Sequence, residues 1–390
     1  MQPTPIPTPE PTQFPDTIPG VVGDVEYEYA PTVSIPVTVD EETNEITVYI
    51  SINLANALIS YVDTQSIATI NLSEIEQPAT VVFNVYAAEA FSEADVTVIL
   101  AFNGAEISLT PNKLTALAEL EDNGEAPISV SLEVTPNEEN TAADYFLAIT
   151  VNITVGYETI EAAAVPFTIT ASLEDFDLAG LNTYRIVALF GNPTIKGGLH
   201  DTNTGIFTFQ APTTGEFTIL YVETLKRLTM QIGAPIIFDL ADNAPTQVMD
   251  TLPVVIDGRT LVPIRFVAYA LGAEVDWSRA TDYSPSLAHI TLNGQTLIFP
   301  IGQITPELAA LGMDVPAITI DSRTMVPLRF VSEFFGALVE WEGATQGIGI
   351  ISNAAPTNQV PANESAYAQN IAALPARTRT KQPHNKPHRE

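Results

Sequence analysis

Four arginines and two tryptophans carry the clearest chemical potential in this chain. Arg259 and Arg265 stand in "DGRTLVPIRFVAYALGAEVDW", which runs from Asp257 to Trp277. Arg323 and Arg329 hold the same places in "DSRTMVPLRFVSEFFGALVEW", from Asp321 to Trp341. A guanidinium presents a planar fork of donors that fits carboxylate or phosphate oxygens. The two phrases end on Trp277 and Trp341, the only tryptophans in the sequence. An exposed indole is a stacking platform for a sugar ring, and a buried one is a large core residue. Together the six residues could form a twofold surface for an anionic polymer or a sugar. The competing reading is internal: Arg329 paired with Glu333 one helical turn on, Arg265 stacked beside Tyr269, Arg259 and Arg323 neutralised by nearby carboxylates, and both tryptophans in the core. Forty-seven acids against fifteen bases make such partners plentiful.

Other chemistry finds less support. A serine or threonine hydrolase needs a base held beside its nucleophile, and neither His200 nor His289 accompanies a G-x-S-x-G motif. A glycosidase needs two carboxylates across a cleft, and nothing singles out a pair. His384 and His388 lie four apart, but prolines around them prevent the helix that would aim both at one metal. Oxygen ligands for calcium cluster in "DEETNE" (Asp40, Glu42, Glu45) and "EDNGE" (Asp122, Glu125), without EF-hand spacing; both also suit solvated hairpin loops. With no cysteine, disulfides and thiolate sites are excluded. No glycine-rich phosphate loop occurs, and no cofactor is expected.

Charge narrows the partners. The formal net charge is −32, and only Lys113 is basic among the first 184 residues. Such a body repels phosphate backbones, so no nucleic-acid partner is expected. Five bases crowd the last fourteen residues (Arg377, Arg379, Lys381, Lys386, Arg389), as a solvated terminus often does. No apolar run is long enough for a membrane-spanning helix. The first twenty residues, "MQPTPIPTPEPTQFPDTIPG", lack the charged and apolar regions of an export signal. An exported protein would carry that signal upstream.

The elements that must position these residues are mainly β. Residues 1–30 read as a Pro/Thr-rich linker of polyproline character. Residues 31–172 alternate apolar and polar in runs such as "EITVYISINL", "DVTVILAF" and "YFLAITVNITV", predicting a β-sandwich-like module. Asn103-Gly104 marks a tight hairpin turn, and one short helix is expected in "TPNKLTALAEL", capped by Thr110 or Asn112 with Leu114, Leu117 and Leu120 on one side. Residues 173–224 read as a small β module, and 354–390 as a disordered, basic-ended tail.

Residues 225–353 hold the duplication, with repeats at 253–277 and 316–341. At an offset of 64, Ile256–Trp277 and Ile320–Trp341 agree at 13 of 22 positions, so one supersecondary unit is used twice. Each copy predicts a hairpin around Asp257-Gly258 or Asp321-Ser322, then a helix begun at Pro263 or Pro327. Ile264, Val267, Ala268 and Leu271 follow helical spacing, as do Leu328, Val331, Phe334 and Phe335, while Phe266 and Phe330 widen the apolar face. Gly272 and Gly336 would end the helices, and a Trp-ended strand follows each. The predicted class is a duplicated hairpin–helix–strand α+β domain within a mainly β chain.

The two phrases, with "LKRLTMQIGAPIIF" before them, resemble the copper amine oxidase N-terminal-like domain, also called the stalk domain, over about Leu225–Ser352. The resemblance implies a sheet curled around short helices, and a setting in secreted or wall-associated proteins of Gram-positive-type bacteria. The oxidase reaction belongs to a separate catalytic domain needing three copper-binding histidines and a quinone-forming tyrosine. This chain has four histidines, no His-x-His, and no tyrosine between Asn and an acid. The expectation is a non-catalytic secreted or cell-surface protein, a scaffold or binding module for cell-wall or extracellular polysaccharide. The alternatives are an accessory segment of a larger secreted enzyme and a calcium-dependent acidic adhesion module. Nothing in the sequence fixes an oligomeric state.

Overall fold

A computed structural model describes residues 21–27, 35–62, 66–120, 126–137, 145–160, 166–191, 194–281, 285–343 and 345–353. The described residues are mainly β, and they form two compact units. The first takes in the chain up to Gln231 with Ile236–Val248 and Ser332–Ala354; the second takes in Ile232–Pro235 and Met249–Val331. No helix among the described residues is long and apolar enough to cross a membrane.

The first unit is built on two sheets that share the strand Val21–Tyr27. This strand lies inside the segment 1–30 expected as linker; the rest of that segment is outside the described residues. The first sheet runs Thr194–Gly197, Ile186–Phe190, Gly215–Tyr221, Leu147–Val155, Ile128–Pro136, Ala79–Phe83, Ile46–Ile50, Ile35–Val39. The second runs Ile67–Asn71, Thr97–Phe102, Ala105–Leu109, Phe167–Ser172, Ile206–Ala211, Leu199–Asp201. Alternate residues of both enter one core that includes Ile50, Phe83, Ile149, Ile169, Phe207 and Phe217. Phe209 of the second sheet meets Phe217 of the first with ring centroids 5.3 Å apart. Each such fully buried side chain contributes about 1.5–3 kcal/mol relative to exposure.

Two sequence expectations change here. The segment 173–224 does not stand apart: Phe217 pairs with Ile149 in the first sheet, and Phe209 with Ile169 in the second. Its inward phenylalanines are buried in the core that residues 35–172 already build. Secondly, the sandwich carries three α-helices among the described residues: α1 (Ile52–Tyr61), α2 (Val85–Glu93) and α3 (Pro111–Ala118). α1 takes the place of the end of an expected strand. Ser51 starts it by accepting from the Leu54 amide at 3.3 Å, and Asn84 caps α2 through the Tyr86 amide at 2.9 Å. The helices carry the chain between sheets, leaving Ile46–Ile50 parallel to Ala79–Phe83 and Ile67–Asn71 parallel to Thr97–Phe102. α3 begins after Thr110 with Pro111 in its first turn and buries Leu114 and Leu117, while Leu120 lies past its end and is exposed.

A further layer of the same unit comes from the chain's later part. Leu225–Gln231 pairs with Gly347–Asn353, flanked by Leu338–Glu342 on one side and Ile236–Asp239 on the other. Leu225, Ile351 and Leu338 pack against Val187 and Ile195 on the outside of the sandwich. Arg227 pins this layer: its buried guanidinium donates to the carbonyls of Tyr184 (3.0 Å), Ile186 (3.3 Å) and Gly198 (2.8 Å). Burial lowers its pKa, partly opposed by the charge of Glu340. Gly197 sits at φ +77°, where a Cβ would come within 2.9 Å of Leu338 and Glu340, so only glycine lets the layers approach this closely.

Candidate binding surface

The hairpins of the duplicated phrase build the centre of the second unit, while the end of the second copy, from Ser332 on, belongs to the first. Val254–Ile256 and Arg259–Pro263 form one hairpin, and Ile318–Ile320 and Arg323–Pro327 form the other. Both turn residues of each hairpin, Asp257-Gly258 and Asp321-Ser322, have positive φ, the type I′ geometry that matches strand twist. The hairpins join edge to edge, with Leu261 opposite Pro327, Val262 opposite Val326, and Pro263 opposite Met325. Val262 and Val326 are equivalent under the 64-residue offset, so a pseudo-twofold axis passes between them. Leu261 and its counterpart Met325 fill the buried centre beside Val315.

Each hairpin leads into a helix, α4 (Ile264–Leu271) and α6 (Leu328–Phe334), with the short α5 (Pro306–Ala310) between them. Pro263 and Pro327 close the preceding strands, so the helices begin one residue after the predicted start; a missing N–H costs nothing there either. Ile264, Val267, Ala268 and Leu271 are buried as their spacing predicts. Leu328 and Val331 are buried likewise, whereas Phe334 and Phe335 are half-buried and meet edge to face at 5.0 Å. Gly272 (φ +85°) and Gly336 (φ +76°) end the helices in left-handed geometry.

The repeat begins earlier than its most similar stretch suggests. Met249-Asp250 stands 64 residues before Met313-Asp314, and these aspartates are the partners of the two turn arginines. Arg259 grips Asp314 through Nε (2.9 Å to Oδ2, 3.1 Å to Oδ1) and Nη2 (2.5 Å). Arg323 grips Asp250 through Nε (2.8 Å to Oδ2) and Nη2. Each arginine therefore pairs with the acid of the other copy. These hydrogen bonds hold both aspartates below the usual carboxylate range and raise both arginines.

The remaining candidates are placed as follows. Arg265 is exposed on α4, and Arg329 is exposed on α6, where both it and Glu333 have partners. The expected stacking of Arg265 on Tyr269 lies outside the described residues. Trp277 is 40% exposed and Trp341 47%, against the expectation that they fill the core. The reason is topological: Glu274–Ser278 is the edge of a three-stranded sheet with Leu287–Leu292 and Gln295–Pro300, and Leu338–Glu342 is likewise an edge strand. The indoles share a face with buried Val339 and Ile350 in one case and with Ala288 and Ile290 in the other, but nothing flanks them on their outer side within their sheets. Sequence reasoning missed a contact between Ser278 Oγ and His289 Nε2 at 3.1 Å, on the sheet face opposite Trp277. Cross-strand facing in this sheet could have shown it.

The calcium candidates are dispersed. Asp40 accepts from the amides of Glu42 (2.8 Å) and Thr43 (2.9 Å), backbone bonds that lower its pKa and close its own turn. Glu45 accepts from Thr80 Oγ1 at 2.7 Å, Glu42 is exposed, and Asp122 and Glu125 lie outside the described residues. Among the described residues no three histidines or acids are grouped to hold a metal ion.

Two hairpin–helix–strand copies with exchanged Arg–Asp pairs define a duplicated β-rich domain. Residues 240–350 match the family model of the copper amine oxidase N-terminal domain, the non-catalytic domain of that family. No match was found among curated proteins or among solved structures.

Proposed function

We propose that this chain is a non-catalytic, extracellular or cell-surface protein whose duplicated domain binds cell-wall or other extracellular polysaccharide. The observation that carries this reading is the exposure of both tryptophans on edge strands. A large aromatic left half in water at corresponding places of two copies costs burial energy that a stacked sugar ring would restore. The β-sandwich serves as its spacer, in keeping with the chain's formal net charge of −32. Arg259 and Arg323 act mainly in holding the copies together.

The test uses the tryptophans themselves. With only Trp277 and Trp341 in the chain, fluorescence excited at wavelengths beyond tyrosine absorption reports on them alone. Their emission should lie near that of solvated indole, be quenched by acrylamide, and shift to the blue with loss of quenching when purified cell-wall polysaccharide is added. Trp277→Ala and Trp341→Ala should each weaken co-sedimentation with walls by about tenfold, on the scale of one stacking contact. Unchanged co-sedimentation in the double variant would end the reading.

A further inference from the structure

The two halves of the duplicated domain are equivalent in backbone pairing but not in charge. Asp314 is held by Arg259, and its own copy carries Arg329 at the start of α6 with Glu333 four residues further along. Around Asp250 stand Arg323 and Arg265, and the position matching Glu333 is Tyr269, which carries no charge at neutral pH. The first set sums to zero and the second to one positive charge.

The hydrogen bonding differs in the same direction. Arg259 engages both oxygens of Asp314, whereas both bonds from Arg323 converge on Oδ2 of Asp250. Arg265 forms no hydrogen bond or ion pair with any described residue, while Arg329 has a partner. The charge of Arg265 nonetheless reaches Asp250 and adds to the larger effect of Arg323 in holding that carboxyl low; no such effect of Arg329 is felt at Asp314. Arg265 is also in the first turn of α4, where its charge adds to the positive helix end instead of opposing the negative one. A cation in that place is a cost unless an anion meets it.

We propose that Arg265, with Arg323 beside it across Asp250, forms a single oxyanion site that takes a carboxylate or phosphate group of an extracellular polysaccharide. The site rests on the polysaccharide-binding reading above and narrows it to anionic polymers engaged at one half of the pseudo-twofold domain. An oxyanion would take the open guanidinium fork of Arg265, while Arg323 stays anchored on Asp250. Because the body carries a charge of −32, long-range attraction contributes nothing, and recognition has to be short-range and bidentate.

The test titrates the full chain with soluble polygalacturonate, which supplies carboxylates, and with poly(glycerol phosphate), which supplies phosphodiesters, alongside sedimentation with purified cell walls. Binding to one polymer identifies its anion as the source; binding to both supports the shared chemistry. Arg265→Gln should weaken binding to the polyanion by about tenfold, the scale of one charge-assisted contact. Arg265→Lys should recover part of that loss. Arg279→Gln, which removes the same charge from another exposed position of this unit, should stay within about twofold of the wild type. Melting curves of each variant check that the fold persists. Unchanged affinity in Arg265→Gln, or an equal loss in Arg279→Gln, overturns the site. A wild-type chain that binds walls but neither polyanion overturns the site and leaves polysaccharide binding standing; one that binds neither walls nor polyanions overturns both.

Discussion

Arg259 donates to Asp314 from fifty-five residues away, and that aspartate belongs to the other copy of the repeat. Arg323 and Asp250 repeat the arrangement in the opposite direction across the Val262–Val326 axis. The exchange ties the loop before each hairpin to the turn of the other, so neither copy has its full set of partners alone. Charge pairs in this setting specify which hairpin docks on which, although solvent screens much of their energy.

The exchange predicts an acid-dependent loss. Both aspartates have folded-state pKa values held below the usual carboxylate range, chiefly by the arginine hydrogen bonds. A depressed carboxylate stabilises the fold above its unfolded pKa and ceases to do so as pH falls through the folded value. Asp250→Asn and Asp314→Asn should therefore lower the unfolding midpoint at neutral pH, and the gap to wild type should close as pH falls below the usual carboxylate range. Swapping the charges in Arg259→Asp with Asp314→Arg should recover part of the loss, measured by denaturation at low ionic strength. A gap that persists unchanged at pH 2 would show that packing, not charge, is responsible.

The hairpin turns offer a second check. Ser322 sits at φ +63°, where its counterpart is Gly258 at φ +73°. A left-handed conformation strains any residue with a Cβ by roughly 1–2 kcal/mol, partly offset because glycine gains more freedom in the unfolded chain. Ser322→Gly should raise stability by about 0.5 kcal/mol, and Gly258→Ser should lower it by a similar amount. The urea midpoint can be followed through Trp277 in a Trp341→Phe background, with an unchanged m-value expected.

Much of the domain was legible because its two copies check one another. Proline before the helix, glycine after it and tryptophan at the end recur together, and all three fall where the structure uses them. The acids that partner the arginines escaped notice for the opposite reason: between Asp250 and Ile256 the copies diverge, as "TLPVV" against "VPAIT", and similarity seemed to begin at the isoleucine. In the sandwich, the start of α1 reads as strand because "INL" carries on the apolar run of "EITVYIS". Ser51 and Asn84, each just before such a run, were the available cap signals. Tryptophan exposure could not be read at all, since it depends on which strand becomes a sheet edge, a fact of pairing and not of local sequence.

The copies also differ in their helices, and a third check follows. Ser332 is fully buried on α6 and its hydroxyl has no hydrogen-bond partner among the described residues, whereas Ala268 occupies the matching place on α4. An unsatisfied buried hydroxyl costs about 1–3 kcal/mol by mutational measures, and alanine is the better helix former. Ser332→Ala should stabilise the protein by about 1 kcal/mol or more in urea denaturation. A loss of stability instead would reveal a partner for the hydroxyl, such as a bound water.

Lys113 gives the chain an alkaline signature. It is the only base in the first 184 residues, yet it is 4% exposed, on α3 beneath the sandwich's second sheet. Its Nζ donates to the Ser108 carbonyl at 3.4 Å and lies 5.7 Å from the centre of the Phe167 ring, with no ion pair among the described residues. Burial lowers its pKa from 10.5 to about 8. Between those values the unfolded chain binds a proton that the folded one has released, so this lysine's contribution to stability rises with pH across that window. Below pH 8 the folded state carries the cost of a poorly solvated charge, up to about 3 kcal/mol. Lys113→Met should thus be more stable than wild type at pH 7, and the difference should shrink steadily from pH 8 to 10.5. Measuring the two chains side by side cancels the general alkaline repulsion of so acidic a protein. A constant difference across the window would mean that the lysine stays protonated in the fold, held by Phe167 and the Ser108 carbonyl more firmly than burial disfavours it.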